Sequence, residues 1–359
     1  MHLPGATQGR QWEQRFPDLY SPMPPPAARA DQPATMSRRN FHHVVAALDA
    51  LVPHATLRRA LQDHQLTEPE GPRVDQHRCV GLATRLASHH GDPALLLRGF
   101  QRLHADQRLF TGLPGFHGDV LAGLRQFQRY LSLHTELGDM ALVIGADTSE
   151  LRLHRRPAFA HSDGQSQALL FSTRRLLQRG GLADVKEVHL RLRADAGEQK
   201  MRRALYDVPV HFDMPSDALV LDNHQLLRVG STRSTALVTL GLRERHLRQT
   251  QPGLAVSDSV RALLPMVLGL PGTPLTLCAS LLAMGERTLQ RRVEAEGHGF
   301  RDLLQESRRE LALTLLPWRH LSTERLAARL GYQQSAQFYR AFRAWFGESP
   351  GRHRAAIPT

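Results

Sequence analysis

STERLAARLGYQQSAQFYRAFRAWF, residues 322–346, reads as two short helices separated by a sharp stop. Ser322 or Thr323 can cap the first, because a side-chain oxygen there accepts from an orphan amide of the opening turn. Leu326, Ala327 and Leu330 face inward at three-to-four spacing, with Arg325 and Arg329 expected on the outer side. Gly331 supplies the positive φ that an abrupt helix end requires. In the following helix Phe338, Phe342 and Trp345–Phe346 form the inner stripe, leaving Gln334, Ser335, Gln337 and Arg340 outside. Such an outer set suits a major groove, since arginine grips guanine O6 and N7 and glutamine pairs with adenine N6 and N7.

The same plan recurs upstream in TLCASLLAMGERTLQRRV, residues 276–293. Leu277, Leu281 and Leu282 give a first helix its apolar face, and Ala283–Gly285 makes a tight connection. A second helix is expected over Glu286–Ala295, with Leu289 and Val293 inward and Glu286, Arg287, Gln290 and Arg291 outward. Between the units, FRDLLQESRRELALTLL (300–316) reads as one continuous helix, roughly 25 Å long. A rod of that length can hold two recognition helices about one DNA turn, ~34 Å, apart, so that one chain enters two successive major grooves. Arg308 and Arg309 sit on this rod and are kept off the base-reading set, because one of them can anchor the helix through an internal ion pair.

Residues 276–354 resemble the DNA-binding domain of the AraC/XylS family of bacterial regulators. The resemblance rests on GYQQSAQFYRAFRAWFGESPGRHR (331–354), in which Gly331, Phe338, Arg340, Phe342, Gly347 and Pro350 stand at the family's spacing. RTLQRRVEAEG (287–297) and the Arg308–Ala312 stretch support it. Two positions depart: Ala283 stands where the family usually has glycine, and Gly285 where it has a serine cap. The resemblance implies a transcriptional regulator, an activator in the family's usual mode, that reads duplex DNA. RNA polymerase, a small-molecule effector and a second copy of the chain are further candidate partners. RVDQHRCVGLATRLASHHGDPALLLRG (73–99) and VPVHFDMPSDALVLDNHQLL (208–227) are similar to the arabinose-binding-type N-terminal domain of one branch of these regulators, which is distinct from the cupin barrel. That likeness implies effector sensing or self-association over residues 40–250.

Periodicity along the N-terminal part agrees with a helical start. Val44, Val45, Leu48 and Leu51 make one stripe, and Leu82, Leu86 and Leu95 to Leu97 continue it. Val120, Leu121, Leu124, Phe127 and Leu131 follow at helical spacing. From about residue 139 the period shifts toward two. Met140–Ile144 and Leu151–Leu153 read as a hairpin, Val185–Leu192 as a strand, and Val208–Phe212 and Ala218–Leu221 as two more. A helix over Ala168–Arg179, stopped by Gly180-Gly181, lies among them. The fold class expected is thus an α+β N-terminal domain, helices first and a small mixed α/β part after. An all-α C-terminal domain with two helix-turn-helix units follows. The boundaries expected are a disordered leader over 1–36, a sensing and dimerisation domain over 37–249, a linker over 250–256 and the DNA-binding domain over 257–359. The leader is rich in proline and small polar residues, and Met36, where periodicity begins, is a candidate start.

Composition excludes more than it asserts. The formal net charge is +12, carried almost wholly by arginine, which favours polyanions. No apolar run is long enough to span a bilayer, so no membrane partner is expected and the location expected is cytoplasmic. Cys79 and Cys278 stand in no metal-binding spacing and are expected as buried thiols. The paired histidines His42-His43 and His89-His90 point to different helix faces and do not chelate well, so no metal and no cofactor are expected. Neither cysteine fits the reactive setting of DNA-repair methyltransferases that share such a DNA-binding module, and no catalytic motif stands out. The chain is therefore expected not to be an enzyme. A ligand-independent dimeric architectural binder is the other alternative.

Overall fold

The computed structural model describes residues 34–69, 71–105, 119–145, 147–179, 184–227, 235–251 and 253–357. The leader up to residue 33, the double glycine at 180–181 and Pro252 of the expected linker lie outside them.

The described chain begins with β1 (Thr35–Ser37), then α1 (Arg38–Asp49), α2 (His54–Asp63), β2 (Arg73–Asp75), α3 (Gln76–His89) and α4 (Leu95–Ala105). The predicted apolar stripes are the buried faces of these helices. Val44 and Leu48 of α1, Leu82 and Leu86 of α3 and Leu95 to Leu97 of α4 are all buried. α1 crosses α4 so closely that a Cβ at Gly99 would lie 2.2 Å from the Ala47 carbonyl oxygen, so only glycine fits there.

The end of the expected leader needs correction. Ala34 and Met36 are buried, and Thr35–Ser37 pairs antiparallel with Arg73–Asp75. The Thr35 amide donates to Glu136, while Arg73 donates to the Thr35 hydroxyl and carbonyl oxygens. Two isolated three-residue strands carry too little periodicity to be seen in the sequence; pairing and these polar contacts order them.

α5 (Val120–Tyr130) leads into β3 (Gly138–Ile144), β4 (Thr148–Arg155), α6 (Asp163–Arg179), β5 (Val185–His189), α7 (Ala196–Tyr206), β6 (Val210–His211), β7 (Asp217–Asp222) and the one-turn α8 (Asn223–Leu226). The five long-range strands form one sheet in the order β3-β4-β7-β5-β6, antiparallel except for β5 beside β6. The predicted hairpin is β3–β4, in register from Gly138 opposite Arg155 to Ile144 opposite Ser149. β7 lies at the centre with Ala218, Leu219 and Leu221 inaccessible. The helix α7 has no counterpart in the sequence reading. Its segment is dominated by charged residues, and its inward side is a buried arginine and tyrosine, Arg202 and Tyr206, rather than an aliphatic stripe.

Beyond it the chain is helical: α9 (Thr235–Thr250), α10 (Val256–Val267), α11 (Pro274–Leu281), α12 (Glu286–Ala295), α13 (Phe300–Leu315), α14 (Thr323–Arg329), α15 (Ser335–Phe346) and α16 (Pro350–Ala355). The α+β, then all-α architecture is as expected. Two apolar cores divide the helical part. One joins α9, α10, α11 and α12 to Phe300 and Leu303 of α13. The other joins Leu311 to Leu316, Trp318, α14 and α15, and is continuous with the N-terminal core.

Candidate nucleic-acid interface

In the first unit Thr273 caps α11 by accepting from the Thr276 amide, and Pro274 occupies the first helical position. The helix ends through Ala283 at φ +54°, with the Met284 amide returning to the Ala279 carbonyl oxygen at 2.9 Å. Here alanine takes the left-handed conformation that glycine adopts more cheaply. Gly285 then caps α12 without a side-chain bond. α12 spans the expected residues and buries Leu289 and Val293 completely.

The opposite face of α12 is open. Glu286, Arg287, Gln290 and Arg291 are all exposed. Glu286 differs from the other three, because its carboxylate accepts from the Thr276 hydroxyl at 2.7 Å. That bond ties it to α11 at the positive end of α12, a structural use of the acid that leaves Arg287, Gln290 and Arg291 as the free donors of this face.

In the second unit Ser322 provides the cap, accepting from the Arg325 amide at 3.3 Å. α14 closes through Gly331 at φ +78°, with the Tyr332 amide bonded to the Ala327 carbonyl oxygen. Phe338 and Phe342 of α15 are inaccessible, while Trp345 and Phe346 are half-buried. Gln334, Gln337 and Arg340 are exposed and Ser335 is half-buried. Neither recognition face is therefore covered by protein among the described residues.

Arg329 was expected beside Arg325 on the outer side and is not there. Its guanidinium is bound by Asp119, at the start of α5, and donates to the Leu268 and Pro265 carbonyl oxygens at 2.8 and 3.1 Å. The cause is tertiary: the Leu268–Gly269 turn passes against the end of α14, covering the side a free helix would expose. Arg308 anchors its rod, though through carbonyls rather than an ion pair. It donates to the Leu330 and Gly331 oxygens and lies 4.4 Å from the centre of the Tyr332 ring, capping the negative end of α14. Arg343 and Tyr339, absent from the sequence reading, extend the second face. With Arg340 and Ala344 they line a shallow hollow of about 390 Å³ on the exposed side of α15. The three-residue step from Arg340 to Arg343 was the available signal.

Residues 278–356 match the family described as a helix-turn-helix domain, and residues 51–229 match the arabinose-binding domain of AraC transcription regulator, N-terminal. The ornithine utilization regulator of Pseudomonas aeruginosa is 27% identical over 339 residues, covering 87% of this chain and 94% of that protein. The HTH-type transcriptional regulator VqsM of the same organism is 38% identical over 80 residues, 22% of this chain and 25% of that protein. VirS of Mycobacterium tuberculosis is 40% identical over 77 residues, 21% of this chain and 23% of that protein. The chain thus aligns with only about a quarter of the length of VqsM and VirS. A crystal structure of the transcriptional regulator CdpR from Pseudomonas aeruginosa superposes with a TM-score of 0.40 at 20% identity, over 89% of this chain and 97% of that one.

Proposed function

The chain belongs to the AraC family of transcription regulators, with an arabinose-binding-type N-terminal domain, and on that premise we propose how it reads DNA. The two recognition helices, α12 and α15, enter successive major grooves. Arg287, Gln290 and Arg291 read bases from the first; Gln334, Ser335, Gln337 and Arg340 read them from the second, and Glu286 holds the entry of α12. The single observation that supports this most is that both polar faces stand free, each on its own packed core, with one helix, α13, joining the two cores. Phosphate contacts from arginines and helix N-termini set the register, and base contacts set the sequence.

The test uses the full chain and a duplex selected by it from a random pool. Arg291→Ala and Arg340→Ala are each expected to cost about 1–3 kcal/mol of binding to the selected duplex and to relax preference at one position. Equal weakening on selected and random duplexes would reduce both side chains to phosphate clamps.

The N-terminal domain, in this reading, receives a small effector. A cleft of about 630 Å³ between the α3–α4 turn and the start of α7 is the candidate seat, lined by His90, Asp92, Arg98 and Glu198 beside Leu51 and Met201. Acidic and basic side chains both line it, Asp92 and Arg98 as a pair 3.4 Å apart, which suits a small polar molecule with groups of both signs. Thermal-shift screening of amino acids and sugars, with Glu198→Gln as comparison, checks the assignment. A shift that survives in Glu198→Gln places the effector elsewhere. Self-association and contact with RNA polymerase complete the proposed partnership, and the cytoplasm is its proposed setting.

A further inference from the structure

The two helix-turn-helix units have separate cores; α13 contributes to both, and so does the N-terminal helix α5, with Val120, Leu121, Leu124 and Phe127 in one and Tyr130 in the other. At its start α5 makes polar contacts to α14 of the second unit, and at its end to α9 and α10, which share the first unit's core. At its start Asp119 caps the helix, accepting from the Ala122 amide at 2.8 Å, and also binds the Arg329 guanidinium through both carboxylate oxygens. Arg329 belongs to α14, the scaffold helix of the second unit, and it also holds the last carbonyls of α10. The pair is withdrawn from solvent, the side chains being 5% and 12% exposed. At the far end of α5, Arg129 donates twice to Glu244 of α9, at 2.6 and 2.7 Å, and Tyr130 donates to the same carboxylate at 2.8 Å. Ser259 of α10 accepts from Arg129 and from Arg248, at 3.5 and 2.9 Å, which brings into the same cluster the helix that the first unit packs against. Tyr130 is also part of that unit's apolar core.

We propose that α5 is the strut by which the N-terminal domain sets the placement of the two DNA-reading units relative to each other, with Asp119 and Arg129 as its positioning residues. A helix of this length spans roughly 16 Å, so without bending one end reaches α14 and the other the α9–α10 pair that carries the first unit. Buried, bidentate carboxylate–guanidinium pairs fix direction as well as distance, which a greasy contact does not. Since neither recognition face is covered, the strut positions the units and does not occlude them. An effector that shifts α5 within its domain then changes the half-site spacing the chain accepts, by favouring one placement over another. This inference rests on the two-groove reading above.

The test measures spacing tolerance in the full chain. Asp119→Asn keeps the helix cap, because asparagine caps as well as aspartate, and removes the charge that Arg329 binds. Glu244→Gln does the same at the far end, and Arg329→Lys is the second variant for the near end. Binding is titrated on the selected duplex and on versions with two base pairs inserted between the half-sites, which turns one site by roughly 70° about the axis. Wild type is expected to lose about tenfold or more on insertion, as for the loss of contacts in one half-site. Folded Asp119→Asn and Glu244→Gln are expected to lose threefold or less, with little change on a single half-site. Tyr206→Phe, which removes a buried hydroxyl bond to Gln167 away from α5, is expected to keep the full wild-type penalty. An unchanged insertion penalty in the α5 variants overturns the strut, as does a wild type indifferent to insertion. Wild-type binding that does not distinguish selected from random duplex overturns the two-groove reading instead.

Discussion

At the residue scale, Ala283 is the clearest case of a sequence departure acquiring a physical meaning. Its φ of +54° puts a Cβ where glycine has none. Ala283→Gly relieves roughly 1–2 kcal/mol of strain, and the looser unfolded chain offsets about 0.4–1 kcal/mol of that. A net gain of about 0.5–1 kcal/mol is expected, read as a raised midpoint in urea unfolding; a lowered midpoint would mean that the turn is held without strain. The cysteines behave as expected from their lone spacing. Burial pushes both thiols up to about 12, and both side chains are almost inaccessible. Neither is expected to react with a disulfide reagent at pH 8 until the protein unfolds, which a timed thiol titration with and without denaturant would show. The recognition residues were legible one by one because an outward polar position on a helix needs only the 3.6 period. Arg329 was misread for the same reason: the period says which way a side chain points, not what lies there.

At the scale of elements, cap and stop signals marked the ends of α14, while Gly285, Gly299 and Gln334 open their helices with no side-chain cap. Ser322 and Gly331 serve as read from the sequence, Gly347 closes α15 at positive φ, and Pro274 opens α11. Ser322→Ala should cost about 0.5–2 kcal/mol through the lost cap of α14, measurable by chemical denaturation, and threonine there should restore most of it. The joint between α5, α9 and α10 was not legible, since Arg129, Tyr130, Glu244 and Ser259 lie far apart in the chain. Burial by itself would push the Glu244 carboxyl up, but the Arg129 hydrogen bonds and charge, with the Tyr130 hydroxyl, outweigh it and hold the carboxyl below the usual glutamate range. A folded value below the unfolded one means that the joint contributes its full stability above the ordinary glutamate pKa. That contribution is lost as pH falls through the lowered folded value. Glu244→Gln should therefore cost about 3–5 kcal/mol near neutrality, because Arg129 is left buried without its partner. It should also flatten the acid limb of the stability profile. An acid limb as steep as that of wild type would show that other carboxylates carry it.

At the scale of the whole molecule, the N-terminal core runs without a break into the second helix-turn-helix unit, and the rings of His224 and His320 meet at a tilt, 3.9 Å between centres. Heating the full chain should accordingly give one cooperative transition with matching calorimetric and van't Hoff enthalpies; two resolved transitions would contradict so continuous a core. The formal charge of +12 should make binding to the selected duplex steeply salt-dependent. For about six to ten phosphate contacts, affinity falls roughly a thousandfold or more between 50 and 200 mM salt. Outside α7, the amino-acid sequence by itself determined the local things: which segments coil, where many of them stop, which faces are mainly apolar or polar, and the family pattern these make together. Those follow from neighbours three or four residues apart, whose geometry is the same in any helix. Only the tertiary structure decided that α5 joins α14 at one end to α9 and α10 at the other, that Asp119 takes Arg329 out of solvent, and that residues 35 to 37 form a strand. Those contacts join residues tens to hundreds of positions apart, and no local periodicity carries a record of which distant surface a side chain will meet.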